Sequence, residues 1–220
     1  MLALLYDVHG NLPALEAVLE DCPAELFLLG GDYAVAGGWP RETVEKLEDL
    51  DGEWLRGNTE RWLVDTSDVP EPMLPVIERA REALGEELVE RLVALPETTT
   101  RDGVLYCHAS PGSDMRSFAP ETEDSDDELL RGVDSGRVVF GHTHIQFART
   151  TGGGVELVNP GSVGLPFDGD HRAAYALVHD DGSVELRRVE YDWRVSAEAA
   201  RERAGDLPAR RLEQARFDPT

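Results

Sequence analysis

The stretch that decides the fold is LALLYDVHGN, residues 2–11. Its first five residues are apolar without interruption, which is typical of a strand buried on both faces of a sheet. Two polar residues, Asp7 and His9, come directly after this strand. Residues 11–20 then carry leucine and valine at helical spacing, so they predict a helix. A buried strand, a polar turn and an amphipathic helix in succession indicate an α/β domain.

The same alternation continues through the first half of the chain. ELFLLGGD (25–32) predicts a second strand and EWLRGN (53–58) a third, with a helix at residues 42–50 between them. Residues 72–95 predict one long helix, because leucines recur on one face and Pro96 follows to end it.

The second half of the chain consists mainly of predicted strands. TTTR and VLYCH flank Asp102-Gly103, a dipeptide that favours a tight hairpin turn. An acidic loop with one short helix is predicted at residues 115–131, followed by three strands within 137–161. A second hairpin is predicted at residues 173–191.

These elements predict a single domain, residues 1–220, in which two packed sheets carry helices on their outer faces. Within it we expect a helical insertion at the rim at about residues 60–96. The residues from about 195 to 220 are predicted to form a helical tail that lies on the surface.

The composition restricts the class of partner. The net charge is −23, from 44 acidic and 21 basic residues, and affinity for nucleic acid comes mainly from Lys and Arg. No apolar stretch reaches the ~20 residues that span a bilayer. The first residues lack the basic segment and the cleavage site of a signal peptide. We therefore expect a cytoplasmic protein that binds neither nucleic acid nor a membrane.

Polar side chains follow five predicted strands, at the point where each strand ends, and ligand sites in α/β sheets gather at this edge. These residues are Asp7, His9, Asp32, Asn58, His108, His142 and His144. In each of the DxH and HxH pairs, residues two apart on extended chain point the same way, so one strand exit supplies two ligands. Imidazole and carboxylate together suit manganese, iron, zinc or cobalt. Asp32, in the middle of the set, is the natural carboxylate to bridge two ions.

Five motifs that contain these residues occur in order along the chain: DxHGN (7–11), GGD (30–32), GNTE (57–60), CHASP (107–111) and GHTH (141–144). Together they resemble the calcineurin-like metallophosphoesterase superfamily. NPGSVG (159–164) is similar to the corresponding segment of its small YfcE-like phosphodiesterase branch. The resemblance spans about residues 1–190 and implies a four-layer α-β-β-α sandwich.

The resemblance also implies the site and its chemistry. One metal ion would be held by Asp7, His9, Asp32 and His144, and the other by Asp32, Asn58, His108 and His142. A metal-bound hydroxide would attack phosphorus in a phosphodiester or phosphomonoester of a small nucleotide or metabolite. Manganese is the expected ion, with iron, zinc, nickel, cobalt or magnesium as alternatives. Homo-oligomers are common in the family.

One position departs from the family pattern. Many members have a histidine after GN that is thought to protonate the leaving group, and here the residue is Thr59. Thr59 cannot act as a general acid near neutral pH. Either the leaving group needs no proton, or another group such as His171 supplies it.

Four further residues are candidates for contact with substrate. Arg116 and Arg172 could bind a phosphate in a bidentate manner, whereas Asn159 and Ser162 could contact substrate or support the ligands. A second reading is a catalytically weak, metal-binding scaffold for protein interaction with the same fold, as in the retromer subunit of this superfamily. The complete ligand set favours the enzyme, and Thr59 favours the scaffold.

Overall fold

The computed structural model describes residues 1–217. In chain order the strands of this part are β1 (Leu2–Leu5), β2 (Leu26–Leu29), β3 (Gly52–Trp54), β4 (Thr98–Arg101), β5 (Val104–Cys107), β6 (Arg137–Val139), β7 (Phe147–Thr150), β8 (Glu156–Asn159), β9 (Ala173–Val178) and β10 (Val184–Val189). They form two five-stranded sheets, in the orders β10-β9-β1-β2-β3 and β4-β5-β6-β8-β7.

The helices are α1 (Leu12–Asp21), α2 (Pro40–Glu48), α3 (Asn58–Trp62), α4 (Leu74–Leu84), α5 (Glu86–Val93), α6 (Asp126–Leu129), α7 (Trp193–Arg203) and α8 (Asp206–Gln214). A short 3-10 turn at Glu71–Met73 precedes α4. Within residues 1–217, none of these helices combines the length and the apolar character that crossing a bilayer requires.

The two sheets pack face to face through the alternating side chains of their central strands. Leu4 of β1 and Tyr6 just after it share an apolar cluster with Val139 and Val158 of the second sheet. Leu5 points to the opposite face and joins the core beneath the helices. This period of two is what a sheet covered on both faces requires.

Helices cover the two outer faces unequally. On the first sheet, seven helices contribute buried residues to one core, and these are α1, α2, α3, α4, α5, α7 and α8. On the second sheet, Phe118 and Phe140 form a smaller cluster against which Leu129 of the four-residue α6 packs. The expected α/β sandwich of two sheets and flanking helices is confirmed, and its fourth layer is thin.

The prediction of a single long helix at residues 72–95 is wrong. The chain breaks at Gly85, which separates α4 from α5 and has φ 75° and ψ 165°. Only glycine adopts this region at low cost, so the helix cannot continue through it. The apolar pattern continues across Gly85 because both helices bury one face in the same core.

The C-terminal helices are also more deeply placed than predicted. Ala200 of α7 and Ala209 and Leu212 of α8 are almost fully buried in the core of the first sheet. The small side chains of α7 and α8 allow these two helices to pack closely. The surface position was predicted because both helices also contain many polar residues. Residues 218–220 of the predicted tail lie outside the described residues.

Candidate metal centre

The seven polar residues that follow the predicted strands lie at one edge of the sandwich. Asp7 and His9 follow β1, Asp32 follows β2, and Asn58 begins α3. From the second sheet, His108 follows β5, and His142 and His144 follow β6. Six of the seven are buried, and His142 is half-buried. The fold therefore brings together side chains that are up to 137 positions apart in sequence (Asp7 and His144).

The backbone at this edge is left-handed. Asp7, His9, Asp32, His142 and His144 have φ of 54°, 52°, 60°, 66° and 57°. Such conformations cost about 1–3 kcal/mol each for residues other than glycine, and they cluster at functional sites. The prediction that each DxH or HxH pair lies on extended chain is wrong, because each residue of both pairs turns its side chain inward through a positive φ.

Backbone carbonyls fix the orientation of three histidine rings. The Nδ1 of His9 lies 2.8 Å from Val35 O, that of His108 lies 2.9 Å from Gly30 O, and that of His144 lies 2.5 Å from Leu165 O. A carbonyl oxygen only accepts hydrogen bonds, so in the neutral ring each Nδ1 carries the proton. Each Nε2 then presents a lone pair, which is the arrangement typical of metal-binding histidines.

The first group of converging lone pairs consists of Asp7, His9, Asp32 and His144, whose ligand atoms lie within 4.8 Å of one another. The two Nε2 atoms of His9 and His144 are 3.1 Å apart, although neither carries a proton in the tautomers just described. Asp7 Oδ1 lies 3.5 Å from His144 Nε2 and has no hydrogen-bond partner among the described residues. These four side chains fit a divalent cation.

A second group lies beside the first. Asn58 Oδ1 is 3.0 Å from His108 Nε2 and 3.0 Å from His142 Nδ1. Asp32 contributes to both groups, since its Oδ1 lies 3.5 Å from His108 Nε2 and its Oδ2 lies 3.7 Å from His9 Nε2. The two oxygens of the Asp32 carboxylate therefore face two different groups of potential metal ligands, as a bridging ligand requires.

Burial perturbs the ionisation of these groups. It raises the pKa of Asp32 to about 7 and raises the pKa of Asp7 well above its usual range. It lowers the pKa values of His9 and His142 to about 3 each, and it lowers the pKa of His144 strongly. Near neutral pH the imidazoles are thus neutral, and both carboxylates hold a proton more readily than an exposed aspartate does, so a cation that binds them competes with protons.

Glu60 supports this centre, and the sequence reasoning gave it no role. Its fully buried carboxylate accepts hydrogen bonds from the backbone amides of Asp32 at 2.8 Å, Tyr33 at 2.9 Å and Gly57 at 2.8 Å. It thereby ties the loop that carries Asp32 to the start of α3. The signal was present in GNTE, because a glutamate three residues after a helix N-cap is the capping-box pattern.

Asn159 and Ser162 brace the ligand loops from behind. Asn159 Nδ2 donates to Gly141 O at 3.0 Å, just before His142. Ser162 Oγ donates to Asp7 O at 2.7 Å and accepts from Leu165 N at 2.7 Å. Both side chains are fully buried. These contacts give them supporting positions in the protein interior.

The other predicted substrate contacts lie among surface groups. Arg116 is exposed and pairs with Glu128 at 3.0 Å, and Arg172 pairs with Asp170 at 2.6 Å. His171 stacks on Trp193 at 4.3 Å between ring centres. Among the described residues, the contacts of these three side chains do not include the seven ligand candidates.

Thr59 is buried beside the centre. Its backbone amide donates to Asp32 Oδ1 at 3.0 Å, and its hydroxyl lies 3.5 Å from Glu60 Oε1. Hydrogen bonds from its backbone and its side chain act to lower the pKa of Asp32, against the larger effect of burial. The residue after Asn58 therefore contacts a proposed metal ligand.

Comparisons with known proteins agree with the geometry. A family model described as the calcineurin-like phosphoesterase superfamily domain matches residues 1–182. A metallophosphoesterase from Sphaerobacter thermophilus shares 26% identity with a TM-score of 0.82, over 97% of this chain and 99% of that chain. An uncharacterized protein from Methanocaldococcus jannaschii is 29% identical, over 87% of this chain and 88% of its own length. The phosphoesterase YfcE from E. coli shares the fold, at 22% identity and a TM-score of 0.50, over 86% of this chain and 99% of that chain.

Metal binding is expected to release protons. At pH 6 the raised pKa of Asp32, about 7, keeps a proton on the metal-free centre, and a cation must displace it. The imidazoles release none, because burial has lowered their pKa values. Because the pKa of Asp7 is raised as well, calorimetric titration with Mn²⁺ in buffers of different ionisation enthalpy should show at least about one proton released at pH 6, fewer at pH 8, and tighter binding at pH 8. An affinity that stays constant or falls between these pH values would contradict this.

Glu60→Gln is expected to loosen the centre without removing a ligand. Glutamine keeps one acceptor oxygen for three backbone amides, and a buried amide left unpaired costs about 1–3 kcal/mol. Urea unfolding should show that loss, and Mn²⁺ affinity should fall by about 10–100-fold. The matched control is Glu87→Gln on the exposed face of α5, which should change neither. If the two variants showed the same stability to urea and the same Mn²⁺ affinity, Glu60 would not support the centre.

Proposed function

Because the chain belongs to the calcineurin-like phosphoesterase superfamily, as its ordered motifs predicted, we propose that it is a dinuclear-metal-dependent phosphoesterase. The substrate would be a phosphodiester or phosphomonoester of a small nucleotide or metabolite. The observation that carries the proposal is the pair of converging donor sets that share Asp32. Each set contains two imidazole nitrogens and at least one oxygen that face one another.

The donor chemistry favours a transition metal as the resident ion, and manganese is the ion proposed, with iron, zinc, nickel or cobalt as alternatives. Four imidazoles with carboxylate and amide oxygens suit such cations, whereas calcium and magnesium prefer oxygen alone. When bound, two such ions supply positive charge to a phosphoryl group and lower the pKa of water enough to provide a nucleophile at neutral pH.

The chain's own residues set the charge of the centre. Asp7 and Asp32 offset only part of the charge of two divalent ions, and Asn58 contributes a neutral oxygen where a third carboxylate would remove more of it. The remaining positive charge favours an anionic group. The acidic surface, with a net charge of −23, disfavours a polyanion such as nucleic acid. Both features support a small phosphorylated substrate.

Thr59 restricts which leaving groups the substrate can have. A threonine hydroxyl does not donate a proton to a leaving group near neutral pH. The proposed substrate therefore leaves as a stable anion, such as a phenolate or the phosphate of a phosphoanhydride. An alkoxide leaving group would need a proton that Thr59 does not supply.

The proposal is tested with bis-p-nitrophenyl phosphate and p-nitrophenyl phosphate in the presence of Mn²⁺. Both have phenolate leaving groups, so hydrolysis should require metal and the ratio of the two rates should give the ester class. Asp32→Asn keeps the shape of the side chain but removes the bridging charge, and should lower the rate by at least about a hundredfold. Asp102→Asn, in the exposed turn of the first hairpin, is the matched control and should retain full activity.

No hydrolysis of either ester by protein that holds its metal would contradict the proposal. That outcome would favour the scaffold reading of the fold, in which the centre binds cations without turnover.

A further inference from the structure

An aromatic pair adjoins one side of the proposed metal centre. The Phe167 ring stacks on the ring of His144 with centres 4.3 Å apart and planes inclined by 12°. The Phe217 ring meets Phe167 edge-on with centres 5.6 Å apart. We call Phe167 and Phe217 the aromatic shelf. Its first ring, Phe167, is in direct contact with His144, a proposed metal ligand.

The C-terminal helix α8 holds this shelf in place. Gly169 N donates to Ala215 O at 2.9 Å, and His171 Nε2 donates to Glu213 O at 3.0 Å. The loop fixed by these bonds contains Phe167 and also Leu165, whose carbonyl orients His144. The end of α8 is thus attached to the same loop that positions a ligand of the centre.

The shelf is accessible and carries charge beside it. Phe217 is 61% exposed and Phe167 is half-buried. The guanidinium of Arg211, on α8, lies 4.7 Å from the centre of the Phe217 ring. An isolated exposed aromatic residue is ordinary, but here the exposed ring continues a stack that starts at the metal centre.

We propose that the aromatic shelf binds a planar ring of the substrate, such as a nucleobase, while the phosphoryl group lies at the metal centre. Aromatic side chains provide a stacking surface that accepts any base, because every base has a π-face. The proposal rests on the proposed function and specifies its substrate class as a phosphoester that bears a planar ring. It agrees with the leaving-group argument from Thr59, since aryl phosphates and nucleoside phosphoanhydrides combine a ring with a stable leaving anion.

The test compares three probes by calorimetric titration of the Mn²⁺-loaded protein: AMP, ribose 5-phosphate and inorganic phosphate. The two esters have alkoxide leaving groups, which would need a proton that Thr59 does not supply, so slow turnover is expected during the titration. Wild type should bind AMP at least about fivefold more tightly than ribose 5-phosphate, which is the lower end expected for one stacked base. Phe217→Leu keeps an apolar side chain without the ring and should reduce that ratio to within about twofold of unity. Phe217→Tyr restores the ring and should restore the ratio.

The controls separate the shelf from the centre. Leu186→Ala removes a partly exposed apolar side chain on β10 and should leave the ratio unchanged. Manganese content and affinity for inorganic phosphate should be the same in all variants. Equal binding of AMP and ribose 5-phosphate by wild type, or an unchanged ratio in Phe217→Leu, would overturn the shelf. Failure of the Mn²⁺-loaded wild type to bind inorganic phosphate would instead overturn the proposed function, and the shelf proposal with it.

Discussion

Lone pairs that face one another inside a protein repel unless a cation or a proton lies between them. The centre contains two such groups of lone pairs. His9 and His144 approach to 3.1 Å through unprotonated nitrogens, and Asn58 Oδ1 lies 3.0 Å from the unprotonated Nε2 of His108. Carbonyl oxygens behind three of the rings prevent them from reversing their tautomers. The protein thus pre-forms an arrangement that is favourable only when positive charge is added.

The surrounding fold stabilises this unfavourable arrangement. Five of the ligand candidates have left-handed backbone, which persists only when neighbouring structure enforces it. Glu60 fixes the loop of Asp32, and Ser162 fixes the carbonyl of Asp7. The large apolar core beneath the first sheet provides the rigid base for these loops. Helix α8 extends the support on one side, because it is bonded to the loop that orients His144.

The sequence predicted the residues of the centre better than the geometry that unites them. Polar residues that follow apolar runs indicate where strands end, and the unbroken apolar run at β1 predicts a buried strand. The positive φ of Asp7 could not be predicted, because tertiary hydrogen bonds and not local preference select it. The break at Gly85 was concealed by leucines that face one core from two helices. The packing of α8 depends on contacts with loops over 40 residues away, such as that between Glu213 and His171, which no local pattern contains.

The bridging role of Asp32 is tested most directly by anomalous diffraction at the manganese edge from crystals of Mn²⁺-loaded protein. Two peaks are expected at roughly 3.5–4 Å from each other, the separation usual in two-metal sites. One peak should lie among Asp7, His9, Asp32 and His144, and the other among Asp32, Asn58, His108 and His142. A single peak, or peaks elsewhere on the acidic surface, would contradict the claim that Asp32 joins two cation sites.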